Sequence, residues 1–96
     1  MPKQVRPVQP ENTDLQEQLQ EQYLFKKLLL ERYAPGGLPA DMVFRTSREL
    51  AYEYREMISL SLPTINRMME LMGFRGDIFM GQSTWVLYER EPSSYP

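Results

Sequence analysis

Pro63 and Gly73 bracket a segment that has few ways to fold. Proline inside a helix is tolerated in the first turn, where backbone N–H groups have no intrahelical partner. Glycine suits the left-handed residue that closes a helix. Between them Ile65, Met68, Met69 and Met72 repeat at i, i+3, i+4 and i+7, one apolar face at helical spacing. Ser61 stands where its hydroxyl can accept from an orphan backbone N–H, so Ser61–Met72 is expected to be a capped helix. Another short helix is expected just before it, with Ser47 as its cap and Leu50, Tyr54, Met57 and Ile58 at i, i+4, i+7 and i+8 as its apolar face. The stretch Arg55 to Leu60 makes the joining turn longer than the short turn of a simple helix-turn-helix pair.

The flanks add extended elements. Met42–Thr46 is a short β-prone run. Beyond Gly73, the stretch from Phe74 to Tyr88 reads as two extended runs around a glycine-containing turn, with its tip at Met80-Gly-Gln-Ser83. In the second run Trp85 and Leu87 share one face, and Thr84, Val86 and Tyr88 the other. Upstream, a long helix is expected from about Asp14 to Tyr33, stopped by Pro35-Gly36-Gly37. Leu15, Leu19, Tyr23, Leu30 and Tyr33 lie near one side of it, with Phe25 and Leu29 at the flank; Leu24 and Leu28 point to roughly the opposite side. A surface helix needs only one apolar stripe. Leu24 and Leu28 are therefore expected to meet another partner, either another part of the domain or another chain, and a homodimer that buries these two leucines is expected. Residues 1–13 carry Pro2, Pro7 and Pro10 with no apolar period and are expected to be a disordered lead-in. Residues 14–90 form the domain, and 91–96 a flexible tail.

Composition narrows the chemistry. Ninety-six residues with 42% apolar content make one domain with a small core. There is no cysteine and no histidine. That removes disulfides, thiol chemistry, the usual zinc ligands and the commonest general base. The pairs Glu53/Glu56 and Glu89/Glu91 sit among opposite charges without a glycine-rich loop nearby and read as solvated. No enzymatic activity, metal or cofactor is expected. Arg75-Gly-Asp77 spells an integrin-recognition tripeptide, but without an export signal it reads as chance. No apolar run reaches the length of a membrane span, so a soluble, cytoplasmic protein with no membrane partner is expected.

Helix, helix and hairpin in that order, from Arg45 to Tyr88, resemble a winged helix-turn-helix domain. The residue order Ser61-x-x-Thr-Ile-x-Arg-x-Met-x-x-Met-Gly-Phe74 is similar to the recognition helix of many helix-turn-helix regulators. The resemblance implies an α+β, mainly helical fold, with a long N-terminal helix, one strand, two helices and a two-stranded wing. It also implies double-stranded DNA as the partner, in transcription regulation or mobile-element replication in bacteria or phages, with Ser61–Met72 entering the major groove. Thr64, Asn66 and Arg67 would then read bases, since Arg suits guanine and Asn adenine. Ser61 would touch phosphate, Arg45 and Arg48 would stand near the entry of the helix, and Gln82 in the wing would donate to phosphate. A Gly-Phe followed by a wing is also similar to the winged modules that close phage-type and plasmid-type primase–helicase proteins.

Charge opposes the DNA reading. The net charge is −2, whereas Lys and Arg supply most non-specific affinity for DNA. Between Arg45 and Arg67, Arg45, Arg48, Arg55 and Arg67 are balanced by Glu49, Glu53 and Glu56, and the tip of the wing is uncharged. The alternative is a protein-interaction or dimerisation module on the same fold. A continuous positive face over Arg45, Arg48 and Arg67 favours DNA; a neutral apolar face favours a protein partner. Trp85 and the methionines Met57, Met68, Met69 and Met72 read as core residues, not as a base-stacking platform or an adaptable groove.

Overall fold

The first helix, α1 (Pro10–Arg32), is rich in Leu, Gln, Glu and Lys, all good helix formers. Pro10 opens it, where a missing N–H costs nothing. The computed structural model describes residues 10–90, so α1 begins before the expected Asp14. The rest of the expected lead-in, and all of the expected tail over 91–96, lie outside the described residues. At its other end α1 stops one residue early. Tyr33 leaves the helix and, with Ala34, forms the two-residue strand β1 (Tyr33–Ala34).

A 3-10 turn over Pro39–Asp41 leads into β2 (Met42–Arg45). Then come α2 (Ser47–Glu53), α3 (Leu62–Leu71), β3 (Arg75–Phe79) and β4 (Gln82–Glu89). All strand pairs are antiparallel and all run through β4. Phe44 of β2 and Arg75 of β3 both pair with Val86; Met42 of β2 and Ala34 of β1 both pair with Tyr88. β2 therefore lies along one edge of β4, and β3 and β1 share the other. The described residues thus form a small α+β domain of three helices and a four-stranded antiparallel sheet. Its order departs from the expected one by the extra strand β1.

The core lies between the inner face of the sheet and the helices. Phe25 and Leu29 of α1, Tyr33, Leu50, Tyr54, Ile58, Ile65, Met68, Met69, Phe74 and Leu87 form one buried cluster. The expected α3 face is the observed one, with Ser61 as N-cap and Gly73 at φ 95° closing the helix. Three expectations are corrected. The cap of α2 is Thr46, not Ser47: Thr46 Oγ1 accepts from Glu49 N at 3.0 Å, and Glu49 Oε1 accepts from Thr46 N at 2.8 Å, a reciprocal capping box. Met57 is exposed while Tyr54 and Ile58 stay in the core, because α2 ends at Glu53 and tighter turns carry the chain to Ile58. On α1, Leu15, Leu19 and Tyr23 are exposed, whereas Leu24 and Leu28 are half-buried against the core of their own chain. Residues 15–20 are all exposed, and contact with the body begins near Glu21, whose Oε1 accepts from Ser59 N at 3.1 Å. Among the described residues no helix is long and apolar enough to cross a membrane.

Candidate functional site

The apolar face of α3 is spent on the core, which turns Asn66, Arg67, Glu70 and Leu71 outward. Opposite α3 stands the β3–β4 hairpin. Met80 and Gly81 form its two-residue turn with φ of 55° and 78°, the twist that a tight hairpin requires. Strand alternation places Gly76, Ile78, Ser83 and Trp85 on the hairpin face that looks toward α3. Between helix and hairpin lies a cleft of about 720 Å³. Leu62, Asn66 and Glu70, one helical turn apart, form its α3 wall; Gly76, Asp77 and Ile78 form the β3 wall.

Ser47 and Trp85 line the same cleft and join its elements. Trp85 Nε1 donates to Ser47 Oγ at 2.9 Å, and the Ser47 hydroxyl donates to Asn66 Oδ1. Because Thr46 does the capping, the Ser47 hydroxyl is free for this role. The cleft carries the carboxylate of Glu70; Asp77 also lines it, but its side chain alternates to the opposite face of the hairpin from Ile78, with Thr84. Asp77 Oδ1 accepts from Ile78 N at 2.7 Å, and Arg75 Nη1 lies 3.7 Å from Asp77 Oδ2. The hairpin end is apolar: Ile78 is 65% and Met80 82% exposed, and Phe79 stacks on Phe44 with ring centroids 4.3 Å apart.

The residues expected to bind DNA are scattered in their roles. Ser61 and Thr64 bond each other: the Ser61 hydroxyl donates to Thr64 Oγ1 at 2.9 Å and accepts from Thr64 N at 3.3 Å. Asn66 is engaged by Ser47. Arg45 is half-buried and donates to the Phe44 carbonyl at 2.9 Å. Arg48 and Arg67 are exposed, and among the described residues neither forms an ion pair or a side-chain hydrogen bond. Gln82 is exposed beside the hairpin turn, paired with Phe79. Glu70 shares the exposed face of α3 with Asn66 and Arg67, so the cations do not form a continuous positive surface.

The perturbed phenols lie away from the cleft. Burial, then the neighbouring Glu53 carboxylate, raises Tyr33, whose hydroxyl donates to both Glu53 oxygens at 3.2 Å. Arg32 Nη1 holds the same carboxylate at 2.8 Å. Tyr54 is pushed well above the usual phenol range, first by burial and then by Glu53, and its buried hydroxyl has no hydrogen-bond partner among the described residues.

Comparison with protein-family models, with curated proteins and with solved structures finds no match. The cleft therefore rests on its own chemistry. Sequence reading missed Ser47, Leu62, Asp77 and Ile78 as its lining. A signal was present: Thr46-x-x-Glu49 is a capping-box pattern, and strand alternation carried across the hairpin puts Ile78 on the face of Trp85.

Proposed function

We propose that this chain is a winged-helix-type interaction module whose cleft between α3 and the β3–β4 hairpin docks a segment of a partner protein. The winged reading is supported by β2 before α2, the α2–α3 pair, and a closing hairpin that sets β2 and β3 on either side of β4. The observation that carries the docking reading is the chemistry of the cleft and hairpin. Leu62 and Ile78 supply apolar surface, Glu70 supplies negative charge, and the exposed Ile78-Phe79-Met80 end has no cation. A carboxylate and a neutral hairpin tip repel or ignore a phosphate backbone. Clustered exposed apolar side chains are the usual mark of a protein contact. The free edge of β3 is partly shielded, since Asp77 occupies the Ile78 amide, so docking relies on side chains more than on strand addition. A complementary segment carries an apolar residue next to Lys or Arg.

The test pairs two measurements on folded protein. Selection from a random displayed-peptide library is expected to enrich apolar-basic sequences whose binding is lost in Ile78→Glu and in Glu70→Lys. Fluorescence anisotropy with a random-sequence duplex at low salt is expected to show no binding at tens of micromolar protein. Salt-sensitive duplex binding that disappears in Arg67→Ala would overturn the docking reading. It would favour the second one, DNA binding through Ser61–Met72, for which the specific support is the free guanidinium groups of Arg48 and Arg67 beside a capped helix.

A further inference from the structure

The first half of α1 carries an apolar stripe that the fold does not use. Leu15, Leu19 and Tyr23 recur at i, i+4 and i+8 and are 56%, 55% and 69% exposed. This part of the helix makes little contact with the body, and short helices without packing are marginal in water. The expected dimer residues Leu24 and Leu28 are half-buried against their own core and offer less surface than this stripe. We infer that the Leu15–Leu19–Tyr23 stripe pairs with the same stripe of a second copy, the two α1 helices running antiparallel and crossing at Leu19.

The register is self-complementary. With Leu19 opposite Leu19, Leu15 of one copy falls opposite Tyr23 of the other, and Gln16 opposite Gln22. The charged residues within this span, Glu17 and Glu21, lie on the other side of the helix, where Glu21 accepts from Ser59 N. Direction follows from the lysines. A parallel pair sets Lys26 and Lys27 against their own copies. The antiparallel pair moves them apart, to opposite ends of the contact. Like charges opposed along paired helices destabilise, which disfavours the parallel pair. The three side chains offer on the order of 400 Å² per copy, so with their flanking glutamines the pair reaches the low end of the roughly 1,200 Å² of a specific interface. A micromolar dimer is the result.

The absence of native cysteine makes the geometry directly testable. Sedimentation of the full chain should show a monomer–dimer equilibrium in the micromolar range, and Leu15→Glu with Leu19→Glu should leave a monomer whose body melts as before. Under oxidation, Leu19→Cys should give a covalent dimer. Leu15→Cys alone should not, because its two copies stand about 12 Å apart along the helices. A mixture of Leu15→Cys and Tyr23→Cys chains should give the crossed dimer. A monomer at hundreds of micromolar overturns the pairing. Self-crosslinking of Leu15→Cys as fast as that of Leu19→Cys overturns the antiparallel direction and with it the proposal.

Discussion

Trp85 Nε1 donates to Ser47 Oγ at 2.9 Å, which ties the last strand to the first turn of α2 across 38 residues of sequence. The Ser47 hydroxyl in turn donates a hydrogen bond to Asn66 Oδ1, so one side chain joins α2, α3 and the hairpin. The same bonds remove Asn66 from the pool of free base-reading groups.

Ser47→Ala should cost about 1–2 kcal/mol in urea melts, because the half-buried indole N–H loses its acceptor. Asn66→Ala should cost less. The double variant should fall short of the sum, since both changes break one network. Thr46→Ala, by contrast, should cost about 1 kcal/mol through the lost cap and add independently to a change at Gln82, which shares none of its partners.

Met69→Ala should destabilise by about 2–5 kcal/mol, as expected for a fully buried side chain that leaves a cavity. Met57→Ala should change stability by less than about 0.5 kcal/mol, because Met57 lies at the surface. Equal effects at the two sites would contradict the observed break in α2 after Glu53.

Tyr54→Phe should be neutral or stabilising by up to about 1 kcal/mol at neutral pH, since the hydroxyl is buried without a partner. The phenols of Tyr33 and Tyr54 are both raised in the folded state, chiefly by burial. Above about pH 10 the unfolded chain loses these protons first, so it binds fewer than the folded chain and stability falls as pH rises. The melting temperature should drop as pH rises above about 10, and Tyr54→Phe should lessen that drop.

Met80→Gly should stabilise the hairpin by about 0.5–1 kcal/mol. Met80 holds φ 55°, a region that costs a side chain about 1–2 kcal/mol and costs glycine nothing. Thermal melts of the two proteins decide it. A lower melting temperature for the glycine variant would show that the Met80 side chain contributes packing its exposure does not suggest.

Local chemistry wrote α3 in full. Ser61, Pro63, the Ile65–Met68–Met69–Met72 face and Gly73 each act within a few residues, and the helix formed as they imply. The alternation of β4 was legible for the same reason, with Leu87 buried toward the helices and Trp85 beside it. The α2 cap was misread by one residue, although the Thr46–Glu49 pattern lies in the sequence.

Periodicity alone could not say which apolar residues would find partners. Both sides of α1 carry leucines at helical spacing, and only the position of α1 on the body decides that Phe25, Leu29, Leu24 and Leu28 are covered while Leu15, Leu19 and Tyr23 are not. The departure of Tyr33 into β1 depends on Glu89, a residue far along the chain. The cleft is likewise a property of the assembled fold. Leu62, Glu70, Asp77 and Ile78 belong to elements whose approach is set by core packing and by the Ser47–Trp85 bond. The sequence by itself determined the helices, their caps and the alternation of the strands, because those depend on neighbours within one turn or one pleat. The tertiary structure decided which faces are buried, which cations are free and where a cleft opens, because those depend on contacts between residues that only folding brings together.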